Sequence, residues 1–336
     1  MALRRVSLFC AILLAACTAS RPTSVSVDQP AAIADGPSAG DVVQEAILGS
    51  DVTFSLAYIP GGTFTMGSPT DEVGRADDEG PQREVILRPF WMMTHEVTAE
   101  AFTLFSRREL DSNVSSNTAI TFDVDAVTRP SPPYEDPSHG MSGEGVPASG
   151  MTQWAAIQYA LWLYEKTGLF FRLPTEAEWE YACRAGQTTP LTRAELDATA
   201  WHWDNSGEVG HPVGEKTPNA WGLYDMLGNV SEWTDDQYAA DLYATLEDGT
   251  ADPWAKPTAL HPRTVRGGAY DDDPADLRCA NRIPSTLRWK RRDPQVPKSM
   301  WWNTDSPFVG FRLVRPIHTM NHDEIMLYYA EALGGG

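Results

Sequence analysis

Apolar and polar positions alternate with helical spacing most clearly over residues 172–186, RLPTEAEWEYACRAG. Pro174 stops the strand-like FFRL run before it, and Thr175 stands where an N-cap belongs. Glu178, three residues on, can reach back to the Thr175 backbone N–H and complete a capping box. Trp179, Ala182 and Cys183 then share one face, which the pattern predicts to be buried. A second amphipathic stretch, HDEIMLYYAEAL in the C-terminal tail (319–336), sets Ile325, Met326, Tyr329 and Leu333 on one side, a face for packing on the domain or for a partner. Residues 110–146 show neither period. They read as a Ser-, Pro- and Gly-rich insertion, of a length that is functional or partly disordered.

Composition adds that loops outweigh regular elements. The chain has 26 Gly and 25 Pro, and its 12 Trp suggest aromatic rings filling a core between irregular segments. No repeat of solenoid period is visible. The first residues differ from the rest: Arg4 and Arg5 precede an apolar run over 6–16. That run is too short to cross a bilayer and suits the apolar region of a signal peptide. It ends in Leu14-Ala15-Ala16-Cys17, which resembles a bacterial lipobox and makes residues 1–16 a lipoprotein signal peptide. Cys17 would then be the lipid-modified first residue, firmly held by several acyl chains. A plain secretion signal cut after Ala16 is the other reading. Thr18 rather than Asp after the cysteine fits outer-membrane placement, and the Ala-, Ser-, Pro- and Gly-rich residues 17–51 read as a flexible tether.

Charge excludes some partners. The chain carries a net −20, and loss of residues 1–16 leaves 24 basic against 46 acidic side chains, a net −22. Such a surface repels the phosphates of nucleic acid and acidic headgroups. A local exception is Arg288-Trp289-Lys290-Arg291-Arg292, either a solvated loop paired with nearby carboxylates or a docking patch for an anionic ligand.

Several blocks recur in a fixed order: YIPGGTFTMGS (58–68), HEVTAEAF (95–102), the 172–186 run, NAWGLYDMLGNVSEW (219–233), RTVRGGAY (263–270), RCANR (278–282) and VGFRLVRP (309–316). Together they resemble the sulfatase-modifying factor family of the formylglycine-generating enzymes. The resemblance assigns 52–318 to one α+β domain, a loop-rich formylglycine-generating-enzyme fold related to the C-type lectin fold. It also implies that Cys183 and Cys279, at the family's structural positions, form a disulfide.

The resemblance then removes the family's chemistry. Its enzymes are oxidoreductases that oxidise a substrate cysteine with copper held by two further cysteines. Here the serine position of that block is Ala269, the first cysteine position is Asp272, and DDDPADL before Arg278 contains no cysteine. Thiolates select copper(I), whereas carboxylates are hard ligands for calcium, magnesium or manganese. Copper-dependent formylglycine formation is therefore not expected. A remodelled site would use Tyr270, Asp271, Asp272 and Arg282, expected to line one cleft near the disulfide; Asp271, Asp272 and Asp273 could equally form a solvated acidic turn before Pro274.

The family's calcium turn maps onto Asp225, Gly228, Val230 and Glu232: two side-chain oxygens and two main-chain carbonyls, a donor set calcium accepts. Of the second calcium site only Asn205 and Ser206 remain. His318 and His322 lie at the exit from the domain and suit the surface. The expectation is a lipid-anchored, non-catalytic binding or assembly component of the bacterial cell envelope with structural calcium, its partners envelope proteins or an extracytoplasmic peptide or glycan; the alternative is an oxidoreductase or maturation enzyme with a remodelled, cysteine-free site.

Overall fold

The computed structural model describes residues 36–112, 114, 115, 129–141 and 143–334. Along the chain come β1 (Val42–Ala46), β2 (Thr53–Ile59), β3 (Gly62–Met66), β4 (Arg83–Leu87) and β5 (Phe90–Met93). Helices α1 (Ala99–Ser106), α2 (Gln153–Thr167), α3 (Glu176–Arg184), α4 (Arg193–Thr199) and α5 (Trp203–Ser206) follow. The last part holds β6 (Ser231–Gln237), α6 (Leu242–Thr245), β7 (Thr250–Ala251), β8 (Arg263–Arg266), β9 (Ile283–Pro284), β10 (Val309–Gly310), β11 (Val314–Pro316) and α7 (His322–Leu333). Three small sheets result, in the orders β1-β2-β5-β11, β10-β6-β8-β9 and β3-β4-β7. Among the described residues no helix is long and apolar enough to cross a membrane.

Long connections between short strands leave the core to aromatic side chains and one central helix. In α2, Ala155, Ala156, Tyr159, Ala160 and Leu163 are fully buried. Phe102, Phe105, Tyr159 and Phe311 meet there, mostly edge to face, the arrangement their quadrupoles favour. Thr152 caps this helix through Ala155 N, and Gly168 ends it in the left-handed conformation at φ 73°, which glycine adopts without a Cβ clash.

The α3 expectation is met in detail. Thr175 Oγ1 accepts from Glu178 N at 3.2 Å, and Thr175 N donates to Glu178 Oε2 at 2.9 Å. Trp179, Ala182 and Cys183 are buried as the spacing requires. Two boundaries differ. The compact body begins at Pro37, so the stretch read as tether holds a strand: β1 pairs antiparallel with β2, from Val42 opposite Ala57 to Ala46 opposite Thr53. Ile47 beyond it is buried. The small-residue composition of 17–51 hides this strand, and its residue types do not alternate even though its burial does. In the insertion, Arg129 and Lys166 both pair with Asp111, and Ala99 N donates to Val146 O, so its ends are tied to α1 and α2.

The tail packs on the domain, with one change of face. Ile325, Tyr329 and Ala332 are buried while Met326 is exposed, because 325, 329 and 332 follow the helical repeat more closely than 326 does. Tyr329 Oη donates to Phe171 O at 2.5 Å and Tyr328 Oη to Asp235 Oδ2 at 2.6 Å. Burial pushes the Asp235 carboxyl up to about 6. The folded protein therefore holds a proton at Asp235 that the unfolded chain releases at lower pH, and stability falls as pH rises through the interval between the ordinary aspartate value and about 6. Asp235→Asn is expected to remove this part of the pH dependence; thermal unfolding of both proteins from acid to neutral pH measures it, and parallel curves would contradict the assignment.

Candidate functional site

Each glutamate of EAEWE is paired with an arginine, Glu176 and Glu180 with arginines of distant motifs and Glu178 with one of its own block. Glu176 receives Arg282 Nε at 2.7 Å and Nη2 at 2.9 Å, and Thr264 Oγ1 at 2.7 Å. Glu178 receives both Arg172 Nη atoms, at 2.6 and 2.7 Å. Glu180 receives Arg266 Nη2 at 2.6 Å and Gly67 N at 2.8 Å. Buried ions need such partners, since an unpaired one would be strongly destabilising. The disulfide Cys183–Cys279, with Cα atoms 5.7 Å apart, joins the end of α3 to the 278–282 segment. Next to it Arg278 binds Glu79 and Glu72.

These contacts correct the expected cleft. Arg282 does not line it with Tyr270, Asp271 and Asp272; it is buried on Glu176, with Tyr238 and Tyr243 rings 4.9 and 4.6 Å from its guanidinium. A cavity of about 550 Å³ does lie beside the disulfide, but its walls are Leu191, Leu196, Leu223, Met226 and Leu277, with none of the four expected residues among them. The guanidinium is drawn away because Glu176, facing the same interior, offers both carboxylate oxygens.

Tyr270, Asp271 and Asp272 do share one turn, fixed from several sides. Ala269 N donates to Asp272 Oδ2 at 2.8 Å, Tyr270 N to Asn229 O at 2.8 Å, and Trp203 N to Asp272 O at 3.0 Å. Burial, with Asp271, Asp276 and Asp273 nearby, pushes Asp272 up to about 6. Burial raises Asp271 as well. The Tyr270 hydroxyl is pushed up to about 12 by burial and by Asp271. The turn thus offers a carboxyl held above the ordinary aspartate range and a phenol that stays protonated. It offers no thiol: Cys183 and Cys279 are bonded to each other.

The third feature is the turn at 225–232. Asp225, Gly228 and Asn229 all have positive φ (52°, 75° and 54°), and Trp201 O would lie 2.0 Å from a Cβ at position 228, so only glycine fits there. Glu96, Asp225 and Glu232 surround one guanidinium, Arg312. Glu232 takes Arg312 Nε and Nη2 at 2.7–2.9 Å and Trp179 Nε1 at 2.9 Å. Glu96 Oε2 lies 4.0 Å from Arg312 Nη2. Asp225 Oδ2 accepts from Gly214 N at 2.7 Å, while Asp225 Oδ1 and Glu96 Oε2 are buried without a hydrogen-bond partner. Burial and the charge of Asp225 push Glu96 well above the usual carboxylate range. If all three were ionised, two negative charges would stand in excess over one guanidinium; without a cation, proton uptake by Glu96 relieves part of that excess, and a bound divalent cation would relieve it in the proton's place. Among the described residues no group of three or more His, Cys, Asp or Glu side chains is placed to hold a metal ion. A cation at this turn would therefore need the main-chain carbonyls of Gly228 and Val230, donors that suit calcium. Asp225 fits that role through its open oxygen; Glu232 would have to share its carboxylate with Arg312 and Trp179.

Glu96 was not legible as a member of this group. Its only signal is a carboxylate within the apolar-flanked HEVT block. Asn205 and Ser206 turn inward: Asn205 Oδ1 accepts from His202 N at 2.9 Å and Ser206 Oγ donates to Tyr270 O at 2.7 Å.

Comparison with known proteins accounts for the ordered blocks. The model of the "Sulfatase-modifying factor enzyme 1-like domain" family matches residues 52–317. The formylglycine-generating enzyme of Streptomyces coelicolor is 30% identical over 293 residues, covering 76% of this chain and 87% of the enzyme. Serine/threonine-protein kinase pkn1 of Chlamydia caviae is 32% identical over 234 residues, 68% of this chain; the match spans only 35% of the kinase. Among solved structures, PvdO from Pseudomonas aeruginosa superposes with a TM-score of 0.63 at 26% identity, covering 84% of this chain and all of PvdO. The mixed α/β body, the motif blocks and these matches agree: the chain belongs to the sulfatase-modifying factor enzyme 1-like family.

Proposed function

We propose that this protein is a non-catalytic member of its family: an exported domain, lipid-anchored at Cys17, that serves as a binding or assembly component of the cell envelope and carries structural calcium at the 225–232 turn. One observation carries the reading. Outside the N-terminal segment the only cysteines are Cys183 and Cys279, and they are joined, so the donor set for copper(I) is missing while a carboxylate surplus stands at the calcium turn. When bound, calcium would supply positive charge to Asp225, Glu96 and the two carbonyls, holding the turn against β6 and β8. Asp272, titrating at about 6, favours a second reading, an oxidoreductase or maturation enzyme acting as acid or base from the Tyr270–Asp272 turn.

Oxygen uptake separates the two. With copper, reductant and a cysteine-containing peptide, the purified protein is expected to consume no oxygen above the protein-free control and to form no aldehyde. Uptake that disappears in Asp272→Asn would sink the non-catalytic reading in favour of the second.

A further inference from the structure

The basic segment after β9 is not absorbed by either reading. It folds into a closed excursion: Lys290 is buried and its Nζ donates to Ser299 O at 2.6 Å, while the Asp293 carboxylate accepts from Gln295 N and Ser299 N at 2.9 and 2.6 Å. The Trp289 ring anchors the base against Trp233 and Phe308. From this rigid base three apolar side chains stand out into solvent: Leu287, 74% exposed, Val296, 95%, and Met300, 41%. In the same segment stand the exposed Arg288, Arg291 and Lys298, and Lys298 Nζ donates to the main-chain oxygens of Arg291, at 3.2 Å, and Asp293, which fixes that ammonium on the excursion. Among the described residues none of the three forms an ion pair with a carboxylate. The two neighbouring acids are already engaged, Asp293 with the loop backbone and Asp305 with Arg292 at 2.6 Å.

Like charges gathered without counter-charge, on a chain of net −20, and large apolar side chains left in water both cost stability. A partner that is anionic and apolar at once would relieve both. We infer that the 287–300 excursion is a docking surface for an anionic phospholipid bilayer, with Leu287, Val296 and Met300 entering the headgroup boundary and Arg288, Arg291 and Lys298 meeting the phosphates. Exposed apolar side chains interleaved with unpaired cations match the headgroup boundary of an anionic bilayer, which is apolar and negatively charged together. The repulsion expected from the acidic remainder reaches only about 8 Å at physiological salt, so it orients the body and does not forbid contact. The inference does not depend on acylation of Cys17, which lies outside the compact unit that begins at Pro37.

The test uses residues 37–336, which form one compact unit, sedimented with vesicles of phosphatidylcholine alone or mixed with phosphatidylglycerol. The protein is expected to partition onto the mixed vesicles only and to be released at high salt. Reversing Arg288, Arg291 and Lys298 to Glu should weaken partitioning by more than about a hundredfold. Leu287→Ser, Val296→Ser and Met300→Ser together should lower it about tenfold while leaving retention on a heparin column, which needs only the cations, unchanged. No preference of the unsubstituted protein for the anionic vesicles would overturn the inference. So would vesicle binding insensitive to the three serines, since that describes a site for polyanions.

Discussion

Removing the bridge, by changing Cys183 and Cys279 together to alanine, is expected to lower stability by about 4–5 kcal/mol and the midpoint of thermal unfolding by about 7 °C. The two half-cystines are 96 residues apart, and without the link the unfolded chain regains the freedom that so long a loop otherwise loses. The bridge also joins two elements that share charges: Glu176 of α3 pairs with Arg282, which follows shortly after Cys279. Scanning calorimetry of the two proteins measures the shift, and reductant should convert the first profile into the second. Equal midpoints, or two alkylatable thiols in unreduced protein, would show that the link does not form.

A comparable loss is expected from Arg312→Met. Arg312 is fully buried and ties three segments: both oxygens of Glu232 on β6, Tyr224 O at 2.8 Å, and Met93 O and Thr94 O at 3.2 and 3.3 Å. Methionine fills part of the space but leaves Glu232, Glu96 and Asp225 without the guanidinium they surround. Breaking one side of a buried pair in this way costs about 3–5 kcal/mol. Adding Glu232→Gln to Arg312→Met should recover part of that loss, because the amide removes one of the stranded charges. Chemical denaturation of the three proteins tests this; a single variant as stable as the parent would mean that Arg312 does not compensate the cluster.

What the sequence made legible was local. The α3 cap, its buried face and the packing of α7 follow from spacing within a dozen residues, where propensity and periodicity act. The bridge and the Asp225–Glu232 turn came from motif resemblance. What could not be read was pairing across the chain. Arg282 was placed with Tyr270 and Asp272, yet it lies on Glu176, 106 residues away in sequence. Glu96 and Arg312 look like ordinary surface charges until the fold brings them to Asp225. The β1 strand is hidden for a different reason: Val42–Ala46 has no apolar–polar alternation and sits in a long small-residue stretch, so only its pairing with β2 marks it as a strand.

These pairings shift the meaning of the motif residues, since most of the charged side chains in the 172–186 and 278–282 blocks are engaged in holding the body together. We propose that a hard structural cation is kept at the 225–232 turn while the copper chemistry is lost. Metal content of residues 37–336, measured by plasma mass spectrometry after gentle desalting, tests it most directly. About one calcium per chain is expected, absent after Asp225→Ala, with no stoichiometric copper, iron or manganese. A redox metal bound in proportion to protein, and lost on changing Asp271 and Asp272 to alanine, would contradict it.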